Sequence, residues 1–403
     1  GSKQMSQGRS TGLAARDQVA ATTRVVTAAV DAVQLALLPL TVLEIALAQA
    51  QAASMSPSAL WLLIQVGRRP EHAGSDGLAR SVHTETSIPV CCVGSRGPSA
   101  LAIRWLPTSE PEASLHLQRP LVPRLAHALQ ATEQSALTTW DCHLVSGGTG
   151  GIGLLTARWL AQRGSGALSL ASRGGAVACE MAAEWDRVRT ASDTTLVWRC
   201  DSAEEVHVQQ LLALVAGPLR LAGVWHAAGV LADSLLTSQT AASLARVYAP
   251  KAHGAWALQR ACGAGALRAC VLFSSVAALL GGAGQTNYAA ANVCLDALAS
   301  CRNARSHAGV AVQWGAWAEI GMAARGAAAA RMATMEAASG FGRIGLAHGL
   351  SALHTAVLRR AQSVVGVVPA QWQRVLKGAA APAFLSGLAP PPAKHTSTTS
   401  AHQ

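Results

Sequence analysis

Tyrosine and lysine are almost missing from this sequence. Of 403 residues, two are tyrosine, at 248 and 288, and lysine occurs only at 3, 251, 377 and 394. Charged residues make up 13% of the chain while 50% is hydrophobic; this excludes a disordered chain, which stays unfolded by combining low hydrophobicity with high charge. A run of ~20 apolar residues, the length a spanning helix needs, is absent as well. The most apolar N-terminal stretch, Leu35 to Leu43, is broken by Pro39 and flanked by Asp31, Gln34 and Glu44. No apolar segment directly follows a basic start, so no secretory signal is read. The nine cysteines form no CxxC pair and have no nearby histidine at metal-ligand spacing. Their odd number and irregular spacing fit free thiols in a reducing compartment, and the expected location is cytoplasmic.

Acidic residues are also scarce, leaving a net charge of +11 that is almost wholly arginine. The arginines are dispersed, without a basic run or interleaved aromatics, so nucleic-acid binding is not expected. An acidic protein partner is the better use of this charge.

The length fits two or three domains. Residues 1–20 are polar and expected to be disordered. Residues 21–138 form a first unit with a helical or mixed pattern over Val25–Ala53 and a buried strand over Leu60–Val66. A helix follows over Asp76–Ser81 with Glu85, then a strand over Val90–Val93, a short apolar segment over Leu101–Leu106 and a helix pattern over Leu125–Leu129. This unit carries no chemistry of its own, and its expected role is structural. From His143 the texture changes to regular alternation. Strands are read at His143–Ser146, Ala167–Ser172, Leu196–Cys200, Ala222–His226, Ala269–Ser274, Gly309–Gly315 and Ser363–Val368, with helices between them. Residues 139–377 are thus expected to be a doubly wound, Rossmann-like parallel sheet of α/β class, and 378–403 a linker and tail.

Two stretches carry chemistry. Ser146 to Gly153 reads S-G-G-T-G-G-I-G, after a strand and opening a helix. Glycine at this turn lets backbone N–H groups approach a pyrophosphate, which a helix N-terminus also favours. An acid ~20 residues on marks NAD, whereas arginine accommodates the 2′-phosphate of NADP. Here Ser172 and Arg173 occupy that strand end, and no carboxylate intervenes before Glu180, so NADP(H) is expected. Asp201, after the next strand, either contacts the adenine or caps the following helix. The second stretch, Ser274 to Asn292, brings Ser275 at a strand end near Tyr288 on the first turn of an Ala-rich helix, with a Gly-rich loop between. Asn292 is one turn further along the same face. A phenol near a hydroxyl is a proton-delivery arrangement, and an ammonium close by would favour the phenolate and lower the phenol's pKa. In a chain that prefers arginine so heavily, a lysine at 251 suggests that a compact point charge is wanted there. His226 is read as structural.

These motifs, with W-H-A-A-G-V-L (225–231), P-K-A-H-G-A-W (250–256), F-S-S (273–275), N-Y-A-A-A-N (287–292) and W-G-A-W-A (314–318), resemble in order the ketoreductase domain of modular polyketide synthases, within the short-chain dehydrogenase/reductase superfamily. Residues 57–110 are similar to the degenerate, cofactor-less structural subdomain of such enzymes. The resemblance implies Tyr288 as proton donor, Ser275 as hydrogen-bond donor to the ketone, and Lys251 and Asn292 as the family pair, with asparagine where the wider superfamily has lysine. It implies NADPH held by Gly147, Thr149, Gly150, Gly151, Ile152, Gly153, Ser172, Arg173, Asp201, Ala227, Ala228 and Gly229. Substrate and stereocontrol residues would be Leu231, Asp233, Leu280, Asn287, Trp317 and Met322, the last two at the base of a mobile lid, Ala318–Gly345. One stereochemical type has Leu-Asp-Asp after H-A-A-G-V; the other has tryptophan eight residues before the tyrosine. Here the loop reads Leu231-Ala232-Asp233, position 280 is leucine, and Asn287 fits the first type, so a D-3-hydroxyacyl product is implied. The substrate would be a β-ketoacyl chain on the phosphopantetheine arm of an acyl carrier protein, among neighbouring synthase domains. The alternatives are a silent scaffold domain of this fold and a free-standing short-chain alcohol dehydrogenase.

Overall fold

Parallel strands covered by helices on both faces carry unbroken apolar runs, and the centre of the larger sheet is built this way. In the computed structural model, β6 (Cys142–Ser146) and β11 (Val310–Trp314) are buried along their whole length, and β7 (Ala167–Ser172), β9 (Leu221–His226) and β10 (Ala269–Ser275) over all but one terminal residue. The edge strands, β8 (Thr195–Arg199) and β12 (Val364–Val367), are only partly covered. The order is β12-β11-β10-β9-β6-β7-β8, with every pair parallel. The chain leaves β6 toward β8 on one side and returns to build β9 to β12 on the other. The crevice above the C-terminal ends of β6 and β9 is therefore the topological switch point, where doubly wound sheets bind their ligands.

The structure describes residues 24–28, 40–55, 60–65, 70–95, 111–116, 119–128, 137, 141–192, 194–215, 221–262, 267–320, 340–358, 362–375 and 383–388. The expectations for 1–20, Leu101–Leu106 and most of the lid and tail lie outside them.

A smaller sheet comes first, in the order β1 (Arg24–Ala28), β2 (Leu60–Gln65), β3 (Val90–Ser95), β4 (Glu112–His116), β5 (Arg119–Leu121). It is parallel except for the closing β4–β5 pair. The mixed pattern of Val25–Ala53 resolves into β1 and the helix α1 (Thr41–Met55). The expected helix at Leu125–Leu129 is not formed: residues 122–128 run without regular structure, and the Leu125 N–H donates to the carbonyl of Phe384. This contact with a residue far along the chain outweighs the short local pattern, as tertiary context commonly does.

The helix α2 (Pro70–Glu85) joins the two sheets. The helices of the larger unit are α3 (Gly151–Ala161), α4 (Ala182–Ala191), α5 (Glu205–Val215), α6 (Ala241–Tyr248), α7 (Gly254–Cys262), α8 (Val276–Leu280), α9 (Thr286–Asn303), α10 (Leu346–Ala356) and α11 (Trp372–Val375). A π-helical turn, Ala249–His253, connects α6 to α7. Helix α2 lies against α9 so closely that a Cβ on Gly77 would come within 2.5 Å of the Ala289 carbonyl oxygen. Alanine at 289–291 keeps the facing surface of α9 flat enough for this approach. One apolar core consequently runs through both units: Leu43, Leu60, Leu78, Val82 and Val90 pack in the same cluster as Leu244, Tyr248, Tyr288 and Cys294.

Gly77→Ala is expected to lower the unfolding free energy by about 1–3 kcal/mol, the usual cost of forcing atoms into a packed contact. Gly345→Ala, where an added Cβ meets nothing within 4 Å, is the control. Denaturant midpoints of the two variants check this; equal midpoints would show that the helices separate freely.

Candidate active site

The Gly-rich turn after β6 is shaped by backbone contact. Gly147 has φ +74°, and a Cβ there would sit 2.6 Å from the Ala228 nitrogen. A Cβ on Gly153 would lie 2.2 Å from the Gly147 oxygen. The loops after β6 and β9 thus close on each other, with Ala227 N–H donating to the Ser146 carbonyl (2.8 Å). Gly150 caps α3 without any side-chain acceptor, so the first-turn N–H groups at Gly151, Ile152 and Gly153 are left for an anion. A cradle without side chains beneath an open helix N-terminus fits a pyrophosphate, with Thr149 half-buried beside it. Arg173 is exposed just past the end of β7, and Ser172 Oγ accepts the Gly175 N–H at 3.2 Å. Asp201 is engaged locally: its Oδ1 accepts the Ala203 N–H at 3.0 Å, in the turn ahead of the first residue of α5.

Across the crevice, Ser275 ends β10 and Tyr288 opens α9. Ser275 Oγ accepts the Ala277 N–H (3.2 Å) and so caps α8. Its own proton remains available to another acceptor, because a hydroxyl both donates and accepts. Tyr288 is 9% exposed. Burial pushes its phenol above the ordinary value of 10.0, while hydrogen bonding with Ser275 and Asn292 pulls the other way. The net direction is opposite to the lowering expected from a neighbouring ammonium, since loss of hydration outweighs the hydrogen bonds.

Lys251 is nevertheless beside the phenol ring, its Nζ 5.2 Å from the ring centre and donating to the Phe273 carbonyl at 2.9 Å. The lysine is 4% exposed, and burial lowers its pKa to about 8. It sits in the π-helical turn next to Pro250. Proline cannot donate the helical hydrogen bond, and a π turn accommodates that loss; such turns recur at functional sites. His226 fixes the turn from below through Nε2 and the Lys251 carbonyl, 2.9 Å apart. Burial takes this imidazole down to about 4, so it is neutral at neutral pH. Asn292 is fully buried, and its Nδ2 donates to the Tyr288 carbonyl at 2.7 Å.

Residues 142–319 match the family model described as the KR domain. Over 286 residues, 71% of this chain, the sequence is 38% identical to the polyketide synthase GfsA of Streptomyces halstedii. Over 225 residues, 55% of the chain, it is 36% identical to the phthioceranic/hydroxyphthioceranic acid synthase of Mycobacterium tuberculosis. A structure of A-type ketoreductases from a modular polyketide synthase superposes with TM-score 0.74 at 27% identity, covering 85% of this chain and 76% of that one. The chain carries a polyketide-synthase ketoreductase domain. It spans only 4% and 10% of the two synthases' lengths.

Such a domain is an oxidoreductase, and its fold implies a nicotinamide cofactor. Around the ketoreductase site, Asn287 binds the expected stereocontrol loop to the tyrosine helix: its Nδ2 donates to the Ala232 carbonyl (2.8 Å) and its Oδ1 accepts the Tyr288 N–H (2.7 Å). Gln285 Nε2 reaches Asp233 Oδ2 at 3.3 Å. Leu231 and Leu280 are half-buried, Leu231 against the shared core. Trp317, expected at the lid base, is 2% exposed and packs against Trp314, ring centres 5.0 Å apart, and on Gly349. That burial gives it a packing role. Met322 lies outside the described residues, among which no group of side chains is arranged to hold a metal. No helix among them is long and apolar enough to cross a membrane.

Sequence reading missed Asp296, two turns after Tyr288 on α9. Its Oδ2 accepts from Gln313 Nε2 at 2.7 Å, and burial raises its carboxyl from 3.8 to about 6. An i+8 spacing on an apolar helix signals the shared face, but nothing in the sequence places Lys251 near it. A raised carboxyl means that the folded state holds its proton more firmly than the unfolded chain. The stabilisation from this group is present below about pH 4 and lost as pH rises through about 6. Asp296→Asn should remove that loss. Between about pH 4 and pH 7, wild type should fall relative to the variant by up to about 3 kcal/mol in unfolding free energy. Parallel curves would refute the assignment.

Proposed function

We propose that this domain reduces a β-ketoacyl thioester, presented on the phosphopantetheine arm of an acyl carrier protein, to the D-3-hydroxyacyl thioester with NADPH. The observation that carries the reading is the convergence of Ser275, Tyr288 and Lys251, brought from β10, α9 and the π-helical turn to one side of the crevice. NADPH, when bound, supplies the hydride to the ketone carbon. Gly147 to Gly153 would take its pyrophosphate, Arg173 its 2′-phosphate, and Ala227, Ala228 and Gly229 would line its path over the sheet.

The proton comes from the chain. Tyr288 gives its phenolic proton to the ketone oxygen, and Ser275, whose oxygen is already occupied by the Ala277 N–H, donates its hydroxyl to the same atom. The high pKa of the buried phenol keeps it protonated before reaction. As negative charge develops, the Lys251 ammonium beside the ring offsets it; buried charges act strongly there because little water screens them. Asn292 ties its side chain to the first turn of α9 and holds the phenol in register. The arginine excess suits an acidic carrier protein, and the large relatives support neighbouring synthase domains as partners.

Asp233, Asn287 and the leucine at 280 support D configuration. Chiral analysis of the product from a β-ketoacyl thioester surrogate is expected to show mainly the D alcohol; a predominantly L product refutes this assignment.

In the same assay, Tyr288→Phe should lower NADPH-dependent turnover by about 10²–10⁴-fold, the range for losing a general acid, while NADPH still quenches tryptophan fluorescence. Equal inactivity of wild type and variant, both binding NADPH, would establish the scaffold reading instead.

A further inference from the structure

One carboxylate spans the two loops that border the site, and it belongs to neither. Glu85 is the last residue of α2, in the first unit. Its Oε2 accepts the backbone N–H of Leu236 at 2.6 Å and its Oε1 accepts that of Gly284 at 2.8 Å. Leu236 follows the Leu231–Asp233 loop by three residues, and Gly284 precedes Tyr288 by four. Through its two acceptor oxygens one side chain thus bridges the two loops.

The same end of α2 grips the second loop at two further points. Ser81 Oγ accepts the Gly282 N–H at 3.2 Å, and Arg80 donates to the Ala278 carbonyl. Arg80 is itself locked by a bidentate pair with Glu112 on β4, at 2.5 and 2.6 Å. From α1, Gln51 Nε2 donates to the carbonyls of Leu236 and Gln239 at 2.8 and 2.9 Å. The loops also touch directly, where the Ser234 N–H meets the Gly284 carbonyl at 2.9 Å. Only Glu85 bonds to both loops at once among these side chains.

We propose that Glu85 is a positioning residue for ketone reduction: it holds the 231–236 loop at a fixed distance from the Ser275–Tyr288 segment and thereby fixes which face of the ketone is presented. The proposal rests on the reductase reading above for its chemistry and on geometry for its coupling. A small displacement of a reacting group is costly, because catalysis needs reacting atoms held at near-contact distance.

The test uses the full chain with Glu85→Ala and Glu85→Gln. Alanine removes both acceptors; glutamine keeps one and turns a donor toward the other N–H. With the thioester surrogate, Glu85→Ala should lower kcat by about 10-fold and raise the minor enantiomer to roughly a tenth of the product, with NADPH affinity within about twofold of wild type. Glu85→Gln should fall between. Amide hydrogen exchange at Leu236 and Gly284 should accelerate together by at least about 10-fold in both variants. If Tm falls but kcat and enantiomer ratio stay at wild-type values, Glu85 is a stabilising contact only and the proposal is overturned. Should Glu85→Ala fail to fold, the same readouts on Glu85→Gln decide. Wild-type inactivity would sink the reductase reading, whereas exchange still tests the coupling: unchanged protection at either amide overturns it.

Discussion

The close approach of α2 to α9 is the constraint on which the rest of the molecule depends. Glycine on one helix and alanine on the other let two backbones meet where larger side chains would hold them apart. Everything near the site then follows from short reach. Leu78 and Val82 join the cluster that contains Tyr288, and the last two turns of α2 come within hydrogen-bonding distance of loops 151 to 201 residues later. Apolar burial supplies the driving force, and the polar bonds at 80–85 give the contact a single register.

Electrostatics inside this core are set by loss of water. Lys251, His226, Tyr288 and Asp296 all shift toward their neutral forms, with burial the largest cause in each. Their partners offset part of the cost without reversing the sign. At neutral pH the site thus holds a neutral imidazole and a protonated phenol, while Lys251 at about 8 and Asp296 at about 6 lie nearer their change of charge.

Much of this was legible in the residues. The five central strands of the larger sheet stood out because buried parallel strands write unbroken apolar runs, and Ser275 and Tyr288 fell at a strand end and a first helical turn, whereas Lys251 stood out by the rarity of lysine. Other features left little trace. β4 and β5 are short, and Pro120 within β5 reads as a turn; α8 is five residues hidden beside Gly281 and Gly282. Leu125 imitated a helix pattern, but its N–H is taken by the distant Phe384 carbonyl. The phenol's upward shift needed burial, which no local pattern reports. Glu85 looked like part of an inert unit because its partners are Leu236 and Gly284, contacts that only folding brings about.

The shared core also bears on where such a domain can be cut from one chain and joined to another. A splice placed where the regular alternation begins, near residue 139, would follow the texture of the sequence. It would also cut through one continuous interior and strand Tyr288 on a helix whose opposite face had lost its cover. The transplantable piece is defined by the helix pair rather than by the cofactor fold: a graft that keeps α2 with α9 carries its own walls, and one that pairs α9 with a foreign α2 inherits whatever spacing the new side chains impose.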